Sequence, residues 1–554
     1  MKTTIGVDYG TNSCRAVVVD CSNGRELGSG VYNYESGFQG VLIDAKDANL
    51  ARQKPADYLK GLEITIRDAL SEASKNCKDF SADSVCGIGV DTTGSSPLPL
   101  CRDNSPLGET DEFKNNLNAQ CWLWKDHTSI SEAEKITALA SKIRPQYLAK
   151  CGGVYSSEWW WSKIWHCLNV DEKVFDAAFS WAEIADWIPS VLAGVKNPLE
   201  IKRGVCAAGH KAFYCEEWGG LPDGEFLSAL SPKLAKLKEN LYSKAYSADT
   251  VAGYLCAEWA EKLGLKEGIA IAIGEFDVHY GSIASGVSEG VLVKAVGTST
   301  CDCTVKSADS KLPDIKGICG IVNGSILPNC YGLEAGQSAV GDIFKWWIEV
   351  LLGNDGSAFK KFREEVISQK PGEAGLLALD WNNGNRTVLV DQRLTGLVMG
   401  QTLHTTAAEI YRALIEATAY GAKIIIDRFE ENGVEIKKVV CCGGIAQKDE
   451  MTMQIYSDVF NREIYIAKSF QTCALGAAIG AAVASGVYGG FSEAQSKMVS
   501  FKDKVYKPIP ENVEVYAKLF GLYRQIHDAF GGVKTESLAN VMKDLLKIKE
   551  EARK

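Results

Sequence analysis

The sequence predicts an α/β protein of two lobes around a central cleft, with large insertions in the first lobe. Three observations carry that expectation. The chain has 554 residues, too many for one ordinary hydrophobic core, so two large domains are the default. Two glycine–threonine hairpins lie in opposite halves, Asp8-Tyr9-Gly10-Thr11-Asn12-Ser13 and Gly297-Thr298-Ser299-Thr300, each between apolar, strand-like runs. The C-terminal part alternates short apolar runs with helical patterns, which is the logic of βαβ units and a mostly parallel sheet.

Bulk properties exclude several classes. A formal net charge of −10 disfavours a general nucleic-acid binder, because phosphate backbones need clustered Lys and Arg. The N-terminus runs straight into strand-like sequence with no charged-then-apolar leader, so a cytoplasmic location is expected. The 18 cysteines are spread through apolar runs such as Val439–Cys442 and read as reduced core residues. From Ser469 to Ser492 there is no formal charge, and Gly476 and Gly480 make a G-x-x-x-G match. The stretch is too rich in Ala, Gly and Ser for a membrane span, and a small-residue helix lying close on a sheet is expected. Gly204 to Lys211 imitates a phosphate-binding P-loop but has Ala212 where Ser or Thr should hold magnesium, so that reading is rejected.

Along the chain, strands are expected at Thr4–Val7 and Ala16–Val19, a helix over Tyr58–Ala73, and a strand at Val85–Val90. Residues from Leu98 to Ala252 carry many aromatics and read as inserted material, where specificity usually lives. A strand at Gly268–Ile273 leads into Glu275-Phe276-Asp277-Val278-His279. The domain boundary is expected near Leu265, giving 1–265 and 266–554. Thr406 and Glu409 form a capping box that opens a helix ending near Asn432-Gly433. A buried strand at Val439–Cys442, a helix at Glu450–Val459, a strand at Glu463–Ala467 and the small-residue helix follow. The last segment, Glu536–Lys554, reads as a charged amphipathic helix.

The chemistry follows from these placements. Two turns with glycine amides and hydroxyls can grip one nucleotide's phosphates from two sides. Phosphoryl transfer to a hydroxyl also needs magnesium, an acceptor site and a carboxylate for the hydroxyl proton. Asp8 precedes the first turn and suits Mg²⁺ held through water, against the plainer reading of a turn aspartate. Asp277 lies just past a strand end, where ligands bind in open α/β sheets, and is the candidate base; an N-cap role is the alternative. Trp122-Leu123-Trp124-Lys125-Asp126-His127 combines rings and charged groups as sugar sites do, and equally reads as a tryptophan-anchored helix start. Gly443-Gly444 follows a buried strand and lets a flat ligand such as adenosine approach the backbone.

At these residues the whole chain resembles the FGGY family of carbohydrate kinases. The most specific pieces are Leu123-Trp124-Lys125-Asp126-His127-Thr128, Cys206-Ala207-Ala208-Gly209-His210-Lys211, Phe276-Asp277-x-His279 and Glu334-Ala335-Gly336-Gln337-Ser338-Ala339. Within the family they are most similar to the L-ribulokinase branch. The resemblance implies two ribonuclease H-like domains of the actin-like ATPase type. It implies ATP and Mg²⁺ as cofactors, Asp277 as base, and Ser96, Lys211 and Glu334 as contacts to a ketopentose alongside Asp126. Gly10, Thr11, Asn12, Gly297, Thr298 and Ser299 match the phosphate turns, and Gly443 and Gly444 the adenosine segment. The implied reaction is ATP-dependent conversion of L-ribulose to L-ribulose 5-phosphate, in L-arabinose catabolism. The expected partners are the sugar and ATP, with no nucleic acid and no membrane; the oligomeric state stays open, with a homodimer as one expectation. Alternatives are a sibling kinase for another pentulose or pentitol, an actin-like ATPase driving assembly, and a silent sugar sensor. The aromatic insert and the Asp277 segment speak against the assembly ATPase.

Overall fold

The computed structural model describes residues 1–535, 538 and 540–553. Two mixed sheets organise it. The first contains β1 (Thr3–Tyr9), β2 (Ser13–Asp20), β3 (Glu26–Asn33), β4 (Val85–Thr92), β5 (Val251–Tyr254), β6 (Ala270–Ala272) and β7 (Glu275–Phe276). Its order is β5-β6-β4-β1-β2-β3, with β7 also beside β4. The second contains β8 (Val291–Val296), β9 (Thr300–Ser307), β10 (Gly320–Asn323), β11 (Cys330–Ala335), β12 (Lys438–Cys442) and β13 (Ile464–Ile466), ordered β10-β11-β9-β8-β12-β13. Each sheet therefore begins with a hairpin at a glycine–threonine turn and continues through parallel strands, so one topology occurs twice.

The expectation of a mostly parallel sheet is corrected. β1–β2, β2–β3, β8–β9 and β9–β11 are antiparallel, and parallel pairing is confined to β1–β4, β4–β6, β4–β7, β8–β12 and β12–β13. A tight turn returns the chain antiparallel, and only a long crossover delivers a parallel neighbour. The strands that follow Leu265, β6 and β7, pair with β4, so by strand membership the first lobe continues up to the helix after Phe276.

Helix α1 (Pro55–Asn76) starts with proline at its first position, where the missing N–H costs nothing. α2 (Val205–Lys211) is the segment that imitated a P-loop, and it is helical. α3 (Asp277–Ala284) follows β7 directly. α4 (Ala407–Glu431) opens on the expected capping box: Glu409 N donates to Thr406 Oγ1 at 3.2 Å and Thr406 N to Glu409 Oε2 at 2.8 Å. α5 (Thr472–Ala484) is the small-residue helix. The closing helix is Val541–Ala552, and Glu536 and Lys554 lie outside the described residues.

α5 explains Gly6, Gly87 and Gly89 of the first sheet. A Cβ on Gly6 would stand 1.7 Å from Ala474 O, and one on Gly89 1.9 Å from Ala477 O. On the helix itself, a Cβ at Gly476 would meet Tyr280 O at 1.8 Å, and one at Gly480 the Tyr280 ring at 2.5 Å. The G-x-x-x-G match is thus a groove for α3. α3 and α5 share a core with Val17 and Val19 of the first sheet and Val293 and Val440 of the second, which ties the lobes together. No helix among the described residues is long and apolar enough to cross a membrane. All eighteen cysteines are free thiols.

The insert builds its own aromatic core, with Trp122, Trp160, Trp161 and Trp181 fully buried. Those rings are packing residues.

Candidate active site

Strand register sets the acidic centre. Asp8 on β1 is opposite Asp91 on β4, and Asp91 is opposite Glu275 on β7. Asp277 begins α3 two residues beyond Glu275, and its own carboxylate accepts Val278 N at 2.7 Å. Burial, reinforced by the Asp8 charge, lifts the Asp277 carboxyl to about 7. That suits a group that must accept a proton near neutrality. Burial, then the charges of Asp8 and Asp277, push Asp91 well above the carboxylate range. Asp8 is raised by burial, with the nearby Arg15 charge working the other way, and both Asp91 oxygens are buried without a hydrogen-bond partner. Burial thus disfavours the charged form of both groups, and more strongly that of Asp91.

Both phosphate turns are braced hairpins. Gly10 N donates to Ser13 O and Gly297 N to Ser299 O, each at 3.0 Å. Thr11 is fixed from the insert, its Oγ1 accepting Trp124 Nε1 at 3.0 Å and its carbonyl accepting Gln53 Nε2 at 2.6 Å. Asn12 Nδ2 donates to Gln39 O at 2.7 Å. The second turn is held by amides at the start of the next helix: Val340 N donates to Thr298 O at 2.8 Å and Gly341 N to Gly297 O at 3.0 Å. Ser299 lies at the tip of this turn. Beneath it, buried Lys294 Nζ bonds Asp302 at 2.9 Å, Thr300 Oγ1 at 3.2 Å and Gln337 Oε1 at 3.0 Å.

Neither turn glycine is demanded by the protein itself. Gly10 and Gly297 are absent from the left-handed backbone positions. A Cβ on Gly10 would come no closer than 3.4 Å to Ser13 O, and one on Gly297 3.8 Å to Ser299 O. Gly444 meets nothing within 4 Å, whereas Gly443 has φ +90 and sits 2.7 Å from Val296 O. Gly443 is a backbone requirement. Gly10, Gly297 and Gly444 leave open space where a bound nucleotide would approach the main chain. With Asp8 offering a hard oxygen donor beside the first turn, the residues present fit a magnesium–nucleotide complex.

The sugar-side pair spans the two lobes. Lys211, at the end of α2, has Nζ 3.4 Å from Glu334 Oε1 on β11. Burial is the largest single influence and would lower the Lys211 ammonium, but Glu334 and further neighbouring groups such as Glu158 together raise it. Burial opposes ionisation of Glu334, yet Lys211 and a hydrogen bond from His279 hold its carboxyl well below the usual range. Lys211 also lies 5.2 Å from the Trp159 ring and 5.6 Å from the Phe276 ring, so aromatic faces line the cation.

Two expected contacts have other duties. Asp126 is fully buried with both oxygens occupied: Oδ2 takes the Arg52 guanidinium and Ala51 N at 2.8 Å, and Oδ1 takes Thr128 N and Oγ1. It shapes the loop under the sugar side and offers no oxygen to a ligand, which corrects the expectation of direct contact. Ser96 is also buried. Its N donates to Glu183 Oε2 at 2.6 Å and its Oγ stands 3.1 Å from Thr93 Oγ1.

Sequence reasoning missed Asp91, Glu183, Lys163 and the role of His279. Asp91 was visible as the strand end Asp91-Thr92-Thr93-Gly94, but its partner appears only through β1–β4 register. Glu183 bonds Ser95 and Ser96, 88 and 87 residues away. Lys163 Nζ donates to Ser95 O and Leu123 O, each at 2.8 Å. Burial lifts Glu183 to about 7 and lowers Lys163 to about 8. No local pattern announces either residue.

Comparisons with known proteins follow this geometry. The family model described as the FGGY family of carbohydrate kinases, N-terminal domain, matches residues 3–284, and the C-terminal domain model matches residues 292–485. A ribulokinase of Vibrio parahaemolyticus is 42% identical over 542 residues, covering 94% of this chain and 95% of that protein. One of Halalkalibacterium halodurans is 41% identical, covering 96% and 95%. Among solved structures, a xylulose kinase of Brucella ovis superposes with a TM-score of 0.80 at 17% identity, covering 96% of this chain and all of that one. A ligand-bound xylulose kinase of Lactobacillus acidophilus gives 0.77 at 21% identity, with 96% and 100% covered. Those structures share the fold: two α/β domains of the actin-like type. The chain belongs to the FGGY family of carbohydrate kinases.

Proposed function

We propose that this kinase transfers the γ-phosphoryl group of ATP to the terminal hydroxyl of a ketopentose, converting L-ribulose to L-ribulose 5-phosphate. The observation that supports this best is the position of Asp277. It starts α3 at the carboxyl end of the first sheet, beside Asp8, and the charges of Glu334 and Lys211 both act on it. In this reading the ketose lies against Lys211 and Glu334, with the Ser96 loop behind it. The terminal hydroxyl gives its proton to Asp277 as its oxygen attacks the γ-phosphorus, and the bond to the β–γ bridging oxygen breaks to release ADP. The turns at Gly10-Thr11-Asn12 and Gly297-Thr298-Ser299 hold the phosphates, and the Gly443-Gly444 turn takes the adenosine, with Gly444 giving it room. Asp8 would hold Mg²⁺, and the ion would supply neutralisation of phosphate charge there.

The 37–42% identical ribulokinases support L-ribulose as the substrate. A cytoplasmic role in L-arabinose catabolism is proposed with it, as the family resemblance implies. A panel of ADP-release assays on purified protein with L-ribulose, D-ribulose, D-xylulose, L-xylulose and pentitols tests the reading. Fastest turnover on L-ribulose is expected. A higher kcat/KM on another sugar would reassign the substrate, and release indifferent to every sugar would remove the kinase reading.

A further inference from the structure

His279 connects the two halves of the sugar-side site. Its Nδ1 lies 2.9 Å from Cys206 Sγ on α2, and its Nε2 lies 3.3 Å from Glu334 Oε2 on β11. The ring and the cysteine are fully buried. Burial, then Glu275, push the Cys206 thiol well above its usual range, so it carries its proton. A protonated thiol against a ring nitrogen donates to it. That leaves the single imidazole proton on Nε2, aimed at Glu334.

Cys206, Glu275 and His279 also have the residue types of a buried metal site. The geometry decides against one. Two ligands on a tetrahedral zinc, at about 2.3 Å for sulfur and 2.0 Å for nitrogen, stand about 3.5 Å apart. The 2.9 Å observed between Cys206 and His279 is hydrogen-bond contact.

Around Glu334 the other groups are also fixed. Lys211 faces Oε1, and His210 Nδ1 stands 3.6 Å from Oε2. His210 is itself locked between the lobes. Its Nε2 lies 2.9 Å from Ser325 Oγ, and a Cβ on Gly320 would stand 2.1 Å from its Nδ1.

We propose that His279 is a positioning residue for the sugar. Cys206 selects its Nε2–H tautomer, and that N–H orients the second-lobe carboxylate of Glu334 toward the ketose hydroxyls. The chain Cys206–His279–Glu334–Lys211 thereby couples a first-lobe helix to a second-lobe strand through the sugar subsite. This deepens the function proposed above and rests on it for the sugar.

Two measurements test it. Steady-state kinetics of His279→Ala should show the ketose KM raised about tenfold or more, the loss of a hydrogen bond to a charged group, with the ATP KM within about twofold. His279→Gln, whose amide nitrogen falls near the Nε2 position, should recover most of that loss. An unchanged ketose KM, a parallel rise in both KM values, or a Gln variant no better than Ala would overturn the proposal. Should His279→Ala not fold, Cys206→Ala against Cys206→Ser decides: Ala raises the ketose KM and Ser restores it, and equal behaviour of the two overturns the idea. Independently of activity, ¹⁵N-histidine NMR of the wild-type protein should place the His279 proton on Nε2; an Nδ1–H ring overturns the proposal. A wild-type enzyme that ignores every ketose would defeat the kinase reading, and the NMR result would still judge the tautomer.

Discussion

Asp8 and Asp91 face each other across parallel strands, so two carboxyl groups reach the end of the first sheet side by side. They do not share one role. Asp91 is the more deeply buried and its charged form the more strongly disfavoured, while Asp8 lies half-buried beside the first glycine–threonine turn. An amide copies a carboxylic acid far better than it copies a carboxylate. Asp91→Asn should therefore keep kcat within about tenfold of wild type with little change in Mg²⁺ requirement. Asp8→Asn should raise the Mg²⁺ concentration for half-maximal rate severalfold or more. Mg²⁺ titrations of both variants check this, and equal Mg²⁺ curves would remove Asp8 from the metal role.

As the proposed base, Asp277 would act only when ionised. With its carboxyl lifted to about 7 by burial and by Asp8, it is mostly protonated below that pH and charged above it. The kcat/KM for the ketose should therefore climb with pH through an ionisation near neutrality and level off above it. Asp277→Asn should keep both substrates bound while losing about 10²–10⁴-fold in kcat. A wild-type profile flat from pH 5.5 to 8.5, or near-normal turnover in Asp277→Asn, would take the base role away from it.

In the proposed reading Lys211 contacts the sugar and not the nucleotide. It neighbours Glu334 and the rings of Trp159 and Phe276. Removing it leaves a buried carboxylate without its ammonium, a loss of about 3–5 kcal/mol when such a pair is broken. Lys211→Ala should raise the ketose KM by at least an order of magnitude and leave the ATP KM near wild type. Comparable shifts in both constants would make Lys211 structural.

Gly297 separates the demands of fold from those of function. With ordinary backbone angles and 3.8 Å of clearance, Gly297→Ala should fold as stably as wild type, or gain up to about 1 kcal/mol by restricting the unfolded chain. Its methyl group would occupy the space assigned to phosphate, so the ATP KM should rise. Paired thermal melts and ATP titrations measure both effects. A destabilised variant would mean the glycine serves the hairpin, and an unaltered ATP KM would mean no phosphate comes near it.

Much of the frame was legible in local pattern. Both hairpins, the Thr406–Glu409 capping box and the small-residue helix rest on rules that act over a few residues, and each appears where expected. The parallel character of the sheets was overestimated because the C-terminal βαβ run was read without the hairpins that precede it. Asp126 shows the limit for sites. A charged residue between aromatics has the chemistry of a sugar contact, but the fold uses both of its oxygens on Arg52, Ala51 and Thr128.

By itself, the sequence determined the two gripping turns, the acid that follows β7 and the helix thin enough to lie on glycine-lined strands, because turn geometry, strand ends and side-chain volume are local properties. Only tertiary structure decided that burial disfavours the Asp91 anion beside Asp8, that Glu183 holds the Ser96 loop, and that Glu334 is shared among Lys211, His210 and His279. Those outcomes depend on burial and on neighbours 55 to 124 positions apart, and the energy of a charge is set by what surrounds it in space.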